Sequence, residues 1–164
     1  YNNIMTKWKW GNFDKKKLFV DRSYMAEVQA MKLVILRAAL EFDRRGNKTK
    51  AAEMANKYFE AFPHMNFAYD AGIMPFINVL VNAKDFESAK KHLRILGEET
   101  KQYITFYESQ TDKDVFDSFE RDYQYRLSSV QDVIETAKKV EDPAFEKEMS
   151  DLLSGMMASP TLQQ

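Results

Sequence analysis

Between Gly46 and Pro63 the chain carries a punctuation that few folds accommodate. Glycine reaches the left-handed conformation in which helices stop. Proline ends a helix, because it lacks an amide hydrogen and disfavours a helical residue before it. Between the two, Ala51, Ala52 and Ala55 are small enough to let a second helix lie close against a first. Ala39 and Phe42 occupy the stretch before the glycine. The pattern predicts two helices folded back on each other, closed by alanine contacts.

The spacing of Ala39, Phe42, Gly46, Ala51 and Pro63 is that of a tetratricopeptide-like helical pair. A second, weaker copy comes later in the chain. Gly46 to Ala51 aligns with Lys84-Asp85-Phe86-Glu87-Ser88-Ala89, which places Ala51 and Ala89 38 residues apart. The usual repeat is about 34 residues, and the loop after Pro63 absorbs the difference. Lys101 stands where the second terminating proline belongs, so that helix is expected to run on. The expected fold class is all-α, built from helical hairpins with tetratricopeptide-like pairing (α-α superhelix-like), with about five or six helices. Five glycines and four prolines in 164 residues are too few for an all-β chain with many tight turns.

Apolar periodicity sets the expected elements. Residues 1–22 read as an aromatic arm, its first helix stopped by Gly11 and its aromatics, Trp8 to Phe19, packed onto the helices. Helices are expected at about 23–45, 48–62, 70–83, 86–109 and 113–140. Asp142-Pro143 opens a sixth, to about Leu153, ending in a fraying tail. The domains expected are thus an arm over 1–22, a helical domain over 23–142 and a short helix with its tail over 143–164. On the first long helix, Leu33, Leu36 and Leu40 form a second apolar row beside Tyr24, Val28, Met31, Ile35, Ala38 and Phe42. Two rows predict neighbours on two sides. Arg126 reads as an interruption in the stripe of the last long helix.

Chemistry is hard to find. Without cysteine there is no disulfide, thiolate or cysteine-held zinc. His64 and His92 lack a partner at metal-ligand spacing. Asp114, Asp117 and Glu120 align at three-residue steps, an arrangement that belongs to a solvated face. No serine lies in a nucleophile elbow, and the dispersed glycines cradle no phosphate. No catalytic, cofactor-binding or metal-binding residue is expected. A net charge of −1 gives no field to attract nucleic acid. Asn47-Lys48-Thr49 matches a glycosylation acceptor, but at a turn that the repeat already explains. The aromatic group around Tyr103, Tyr107 and Tyr123 reads as a core between helices, with a peptide- or sugar-binding surface as the alternative.

Several segments carry a family likeness. They are Tyr1-Asn2-Asn3-Ile4-Met5, Lys9-Trp10-Gly11-Asn12, Leu18-Phe19-Val20-Asp21 and Leu36-Arg37-Ala38-Ala39-Leu40. Gly46 with the Ala51 helix, Tyr69-Asp70, Met74-Pro75 and the turn before Ala89 complete the set. Together, over roughly residues 1–140, they resemble the C-terminal soluble region of a bacterial multi-pass membrane-protein family of unknown function. That family is similar to protein O-mannosyltransferases. The resemblance implies membrane spans before Tyr1 carrying a glycosyltransferase-like core that uses a lipid-linked sugar, with this region on the extracytoplasmic side. No catalytic residue of that core lies in this stretch.

The expected role is a non-catalytic interaction or scaffolding domain, with paired helices offering a concave side to an extended segment. Its partner is expected to be a protein or peptide, or the membrane part of the same chain, without nucleic acid and without a cofactor. Two alternatives stand beside it: a purely structural or self-associating packing domain, and a small carbohydrate-binding or hydrolytic domain using acidic and tyrosine residues.

Overall fold

A computed structural model describes residues 1–156, and among these the chain is helical with no strand. Its α-helices are α1 (Asn2–Thr6), α2 (Met25–Arg44), α3 (Lys48–Ala61), α4 (Met74–Asn82), α5 (Phe86–Glu108), α6 (Lys113–Lys138) and α7 (Pro143–Leu153). Short 3-10 turns precede α2 and α4 and succeed α7. The α-helices of the described residues exceed the expected five or six by α1, the helix of the arm, which that count did not include. The tail expected to fray lies outside the described residues from Met157 on.

Two compact units divide the chain differently from the expected arm, middle and tail. One comprises Tyr1–Ala68 and Pro75–Ala89, the other Tyr69–Met74 and the described residues from Lys90 onward.

In the first unit α2 and α3 pack together, joined by only three residues, so they run antiparallel. Gly46 ends α2 at φ 78°, and Asn47 N–H reaches back to the Phe42 carbonyl at 2.9 Å. Asn47 then caps α3, its Oδ1 accepting from Lys50 N–H at 3.2 Å. The second turn repeats this geometry 38 residues later. Lys84 takes φ 60°, Asp85 N–H reaches the Leu80 carbonyl at 2.9 Å, and Asp85 Oδ1 accepts from Ser88 N–H at 3.3 Å. Both are the double stop that leaves one left-handed residue after a helix, and the aligned hexapeptides therefore share a backbone. Asn82 Nδ2 donates to Asp43 at 3.1 Å, and Asn56 Nδ2 to Asp85 at 2.8 Å, tying the two turns sideways.

Ala39, Ala51, Ala55 and Ala89 are fully buried, as the hairpin reading requires. Around them Ile35, Met54, Ile77 and Leu80 complete the core, and the Tyr58 and Phe76 rings stack at 4.0 Å, nearly parallel. Phe62, before Pro63, leaves helical geometry at φ −125°, ψ 66° and closes α3.

The arm differs from expectation at its helix end. α1 stops at Thr6, five residues before Gly11. Gly11 (φ 58°) and Asn12 (φ 65°) instead form the middle of a tight turn, closed by Phe13 N–H to the Trp10 carbonyl at 3.0 Å. Asn66 fastens the stretch from Phe13 to Leu18. Its Nδ2 donates to the Phe13 and Lys16 carbonyls at 2.7 and 2.8 Å, and its Oδ1 accepts from Leu18 N–H at 2.7 Å. Trp10 packs edge-on to Phe62, and Phe13 to Phe67. Phe19 does not pack as expected; it is 91% exposed.

In the second unit α6 and α7 pack together across a four-residue connection. Glu141 (φ 59°) and Asp142 repeat the pairing of a left-handed residue with a carboxylate or amide cap, Asp142 accepting from Ala144 and Phe145 N–H at 3.1 Å. Leu93, Leu96 and Ile104 of α5 are buried, as are Phe145, Met149 and Leu153 of α7. Gly97 marks the close approach: a Cβ there would stand 3.1 Å from Leu152 Cδ2. Arg94 grips Glu148 through two hydrogen bonds of 2.5 and 2.9 Å, and Lys90 pairs with Asp142 at 3.2 Å.

Candidate interaction surface

The α2 helix is only half used by its own unit. It buries Val28, Ile35 and Ala39 against α3, whereas Leu33 and Leu40 are 46% and 45% exposed, with Leu36 half-buried between them. Tyr1 meets α2 edge-on at Phe42, and Asn82 meets it at Asp43, but Leu33 and Leu40 of the second row stay exposed. Leu33, Leu36 and Leu40 recur at three- and four-residue steps, so they form one row. Tyr24, Met25 and Val34 are exposed as well. Arg37 and Arg44 edge the row, while Glu41, Arg44 and Arg45 form a closed ion cluster. Hydrogen bonds from Arg44 and then Arg45 hold the Glu41 carboxyl down at about 2, so it stays charged at any ordinary pH.

Among the tyrosines named as a possible binding surface, Tyr107 and Tyr123 are buried, and only Tyr103 is half-exposed. Their rings are core. Tyr107 stacks on Phe119 at 5.3 Å, and Tyr123 meets Phe116 edge-on. Arg126 turns out to belong to this stripe instead of interrupting it. Its guanidinium lies 4.1 Å over the Tyr103 ring, and Nη1 donates to the Tyr69 carbonyl at 3.0 Å. Its buried Nε has no hydrogen-bond partner, and Asp122 stands 3.9 Å away. Tyr107 donates its hydroxyl to Asp122, and Tyr123 to Glu108 at 3.1 Å. Burial first, and the Asp122 bond second, push Tyr107 up to about 12. A phenol held that firmly protonated is a donor, and serves poorly as a base or nucleophile near neutral pH.

The remaining candidates are equally quiet. His92 is buried, its Nδ1 3.0 Å from the Tyr69 hydroxyl. His64 is half-exposed beside Pro63. Asp114, Asp117 and Glu120 lie on an exposed face, and Lys113 pairs with Asp117 at 2.6 Å. Among the described residues no three ligating side chains cluster to hold a metal, and no helix is long and apolar enough to cross a membrane. The repeat residues Ala39, Gly46, Ala51 and Ala89 meet at packing contacts and turns; Phe42 sits edge-on to Tyr1 at 5.6 Å. Sequence pattern alone does not reveal the roles of Asn66 and Gly97 or the burial of Arg126. An asparagine in the loop after Pro63 and a lone glycine inside a helical stripe mark the first two positions without naming their partners.

No family model, curated protein or solved structure matches this chain.

Proposed function

We propose that this chain is a non-catalytic interaction module whose contact face is the Leu33–Leu36–Leu40 row of α2. One observation carries the reading: α2 buries Val28, Ile35 and Ala39 on one side and leaves Leu33 and Leu40 exposed on another. An amphipathic face with a charged edge suits a helix or extended segment laid along it. Nothing in the tyrosine cluster competes, since its ionisable groups are buried, compensated or held protonated. The family resemblance supplies the setting we propose: the soluble, extracytoplasmic end of a membrane-anchored, glycosyltransferase-like protein. In that setting the occupant is a protein segment, from the same chain or a neighbour.

A photo-crosslinking residue at position 33 or 40 of the complete protein tests the proposal, with position 91, on the exposed side of α5, as control. The α2 positions should link to one reproducible peptide, identified by mass spectrometry. Linking no stronger or more specific than at position 91 contradicts it. The same row also suits a self-associating packing domain. Light scattering separates the two: a dimer dissociated by Leu33→Gln with Leu40→Gln favours self-association, and a monomer favours a foreign segment.

A further inference from the structure

The arm of the first unit bounds a cleft of about 420 Å³, a size typical of small-ligand sites. Trp8 and Trp10 line it, edge-to-face at 5.8 Å, with Lys9, Asn12, Asp14 and Lys15 around them. Its chemistry is one-sided. Trp10 is nine-tenths buried, and neither indole N–H has a hydrogen-bond partner among the described residues nor is buried without one, so both remain open to solvent. Lys9, Lys15 and Asp14 likewise make no ion pair there. Lys9, Lys15 and Lys57 thus line it beside a single carboxylate, Asp14, and of the three only Lys57 is already engaged, with Glu60. The floor is built and not incidental, because Gly11 and Asn12 adopt left-handed backbone conformations and Asn66 lashes the next turn.

We propose that this cleft binds an acidic saccharide, a chain bearing hexuronate units. An indole face matches the flat C–H face of a pyranose, while indole N–H and amide groups donate to ring hydroxyl oxygens. The two unpaired ammoniums take the carboxylates. A neutral sugar leaves them unused. A nucleic acid strand needs a longer cationic track than three lysines, one of them paired with Glu60, beside an aspartate in a chain of net charge −1.

The two tryptophans of the sequence both line this cleft, so fluorescence excited selectively in tryptophan reports on it. A hexuronate trisaccharide titrated into the full chain should change the emission saturably and more weakly as salt rises. Lys9→Gln with Lys15→Gln, both exposed and compatible with folding, should raise the Kd at least tenfold. Trp8→Phe should weaken binding while keeping the ring packing. A neutral hexose trisaccharide and a short single-stranded oligonucleotide serve as comparison ligands. No saturable change with the hexuronate, equal binding of the neutral trisaccharide, tighter binding of the oligonucleotide, or indifference to the double lysine change each overturns the proposal.

Discussion

Helices α2 and α3 are partners in one hairpin, and their sequences promise similar burial. They do not achieve it. α3 buries Ala51, Met54, Ala55, Tyr58, Phe59 and Ala61, whereas α2 buries Val28, Ile35 and Ala39 and leaves Leu33 and Leu40 half in water. Periodicity locates apolar faces in both. It does not tell which face the fold fills and which it leaves for something else. A leucine row kept out of the core of its own unit gives that unit little stability, and this is the ground on which we propose an occupant for it.

The sharpest way to break this contrast is to truncate both sides. Phe76→Ala removes the ring stacked on Tyr58 of α3 and should destabilise by about 3–5 kcal/mol in chemical unfolding. Leu33→Gln with Leu40→Gln on α2 should change stability by less than about 0.5 kcal/mol per site. Comparable losses at the two places would remove the distinction.

Next in size is the arm. Asn66→Ala deletes three backbone hydrogen bonds at once, for about 2–3 kcal/mol. Hydrogen exchange should rise at Leu18 N–H first.

The paired turns offer a smaller, signed test. Gly46→Ala forces a side chain into φ 78° and should lower stability by about 1 kcal/mol. Lys84→Gly relieves φ 60° and should raise it by about 1 kcal/mol. Equal signs would show that the two turns do not share a backbone.

The smallest effect is a pH dependence in α7. The backbone bond from Phe145 and then the Lys90 contact hold the Asp142 carboxyl below its ordinary value. Its folded pKa is lowered, so the stabilisation is complete above about pH 4 and fades as pH falls through the folded value. Asp142→Ala should melt below the parent at neutral pH, and the gap should close in acid.

Much of the first unit is legible in its sequence. Gly46, the alanines and Pro63 act through local backbone and steric rules, and those rules hold whatever surrounds them. The alignment of Lys84 with Gly46 is legible too, though a lysine in a left-handed conformation is no local signal; only the repeat exposes it. Glu141 has the same conformation, and without a matching hexapeptide nothing in its neighbours announces it. Arg126 and Gly97 are opaque for another reason. Their roles rest on Tyr103, Tyr69 and α7, which approach only through tertiary packing. For the proposed interaction face, the residues of the row are readable but its exposure is not, because exposure depends on how other elements pack around it.

Thiol labelling tests that exposure most directly, since the chain has no cysteine to confuse the signal. Leu40→Cys and Ala39→Cys place reporters on adjacent residues, one exposed and one fully buried. In the purified chain position 40 should label near the rate of a free thiol, and position 39 only through unfolding. In the complete protein within its native cell, position 40 should slow at least tenfold as its occupant covers it. Slow labelling of position 40 in the isolated chain, or equal speed in both settings, contradicts the account.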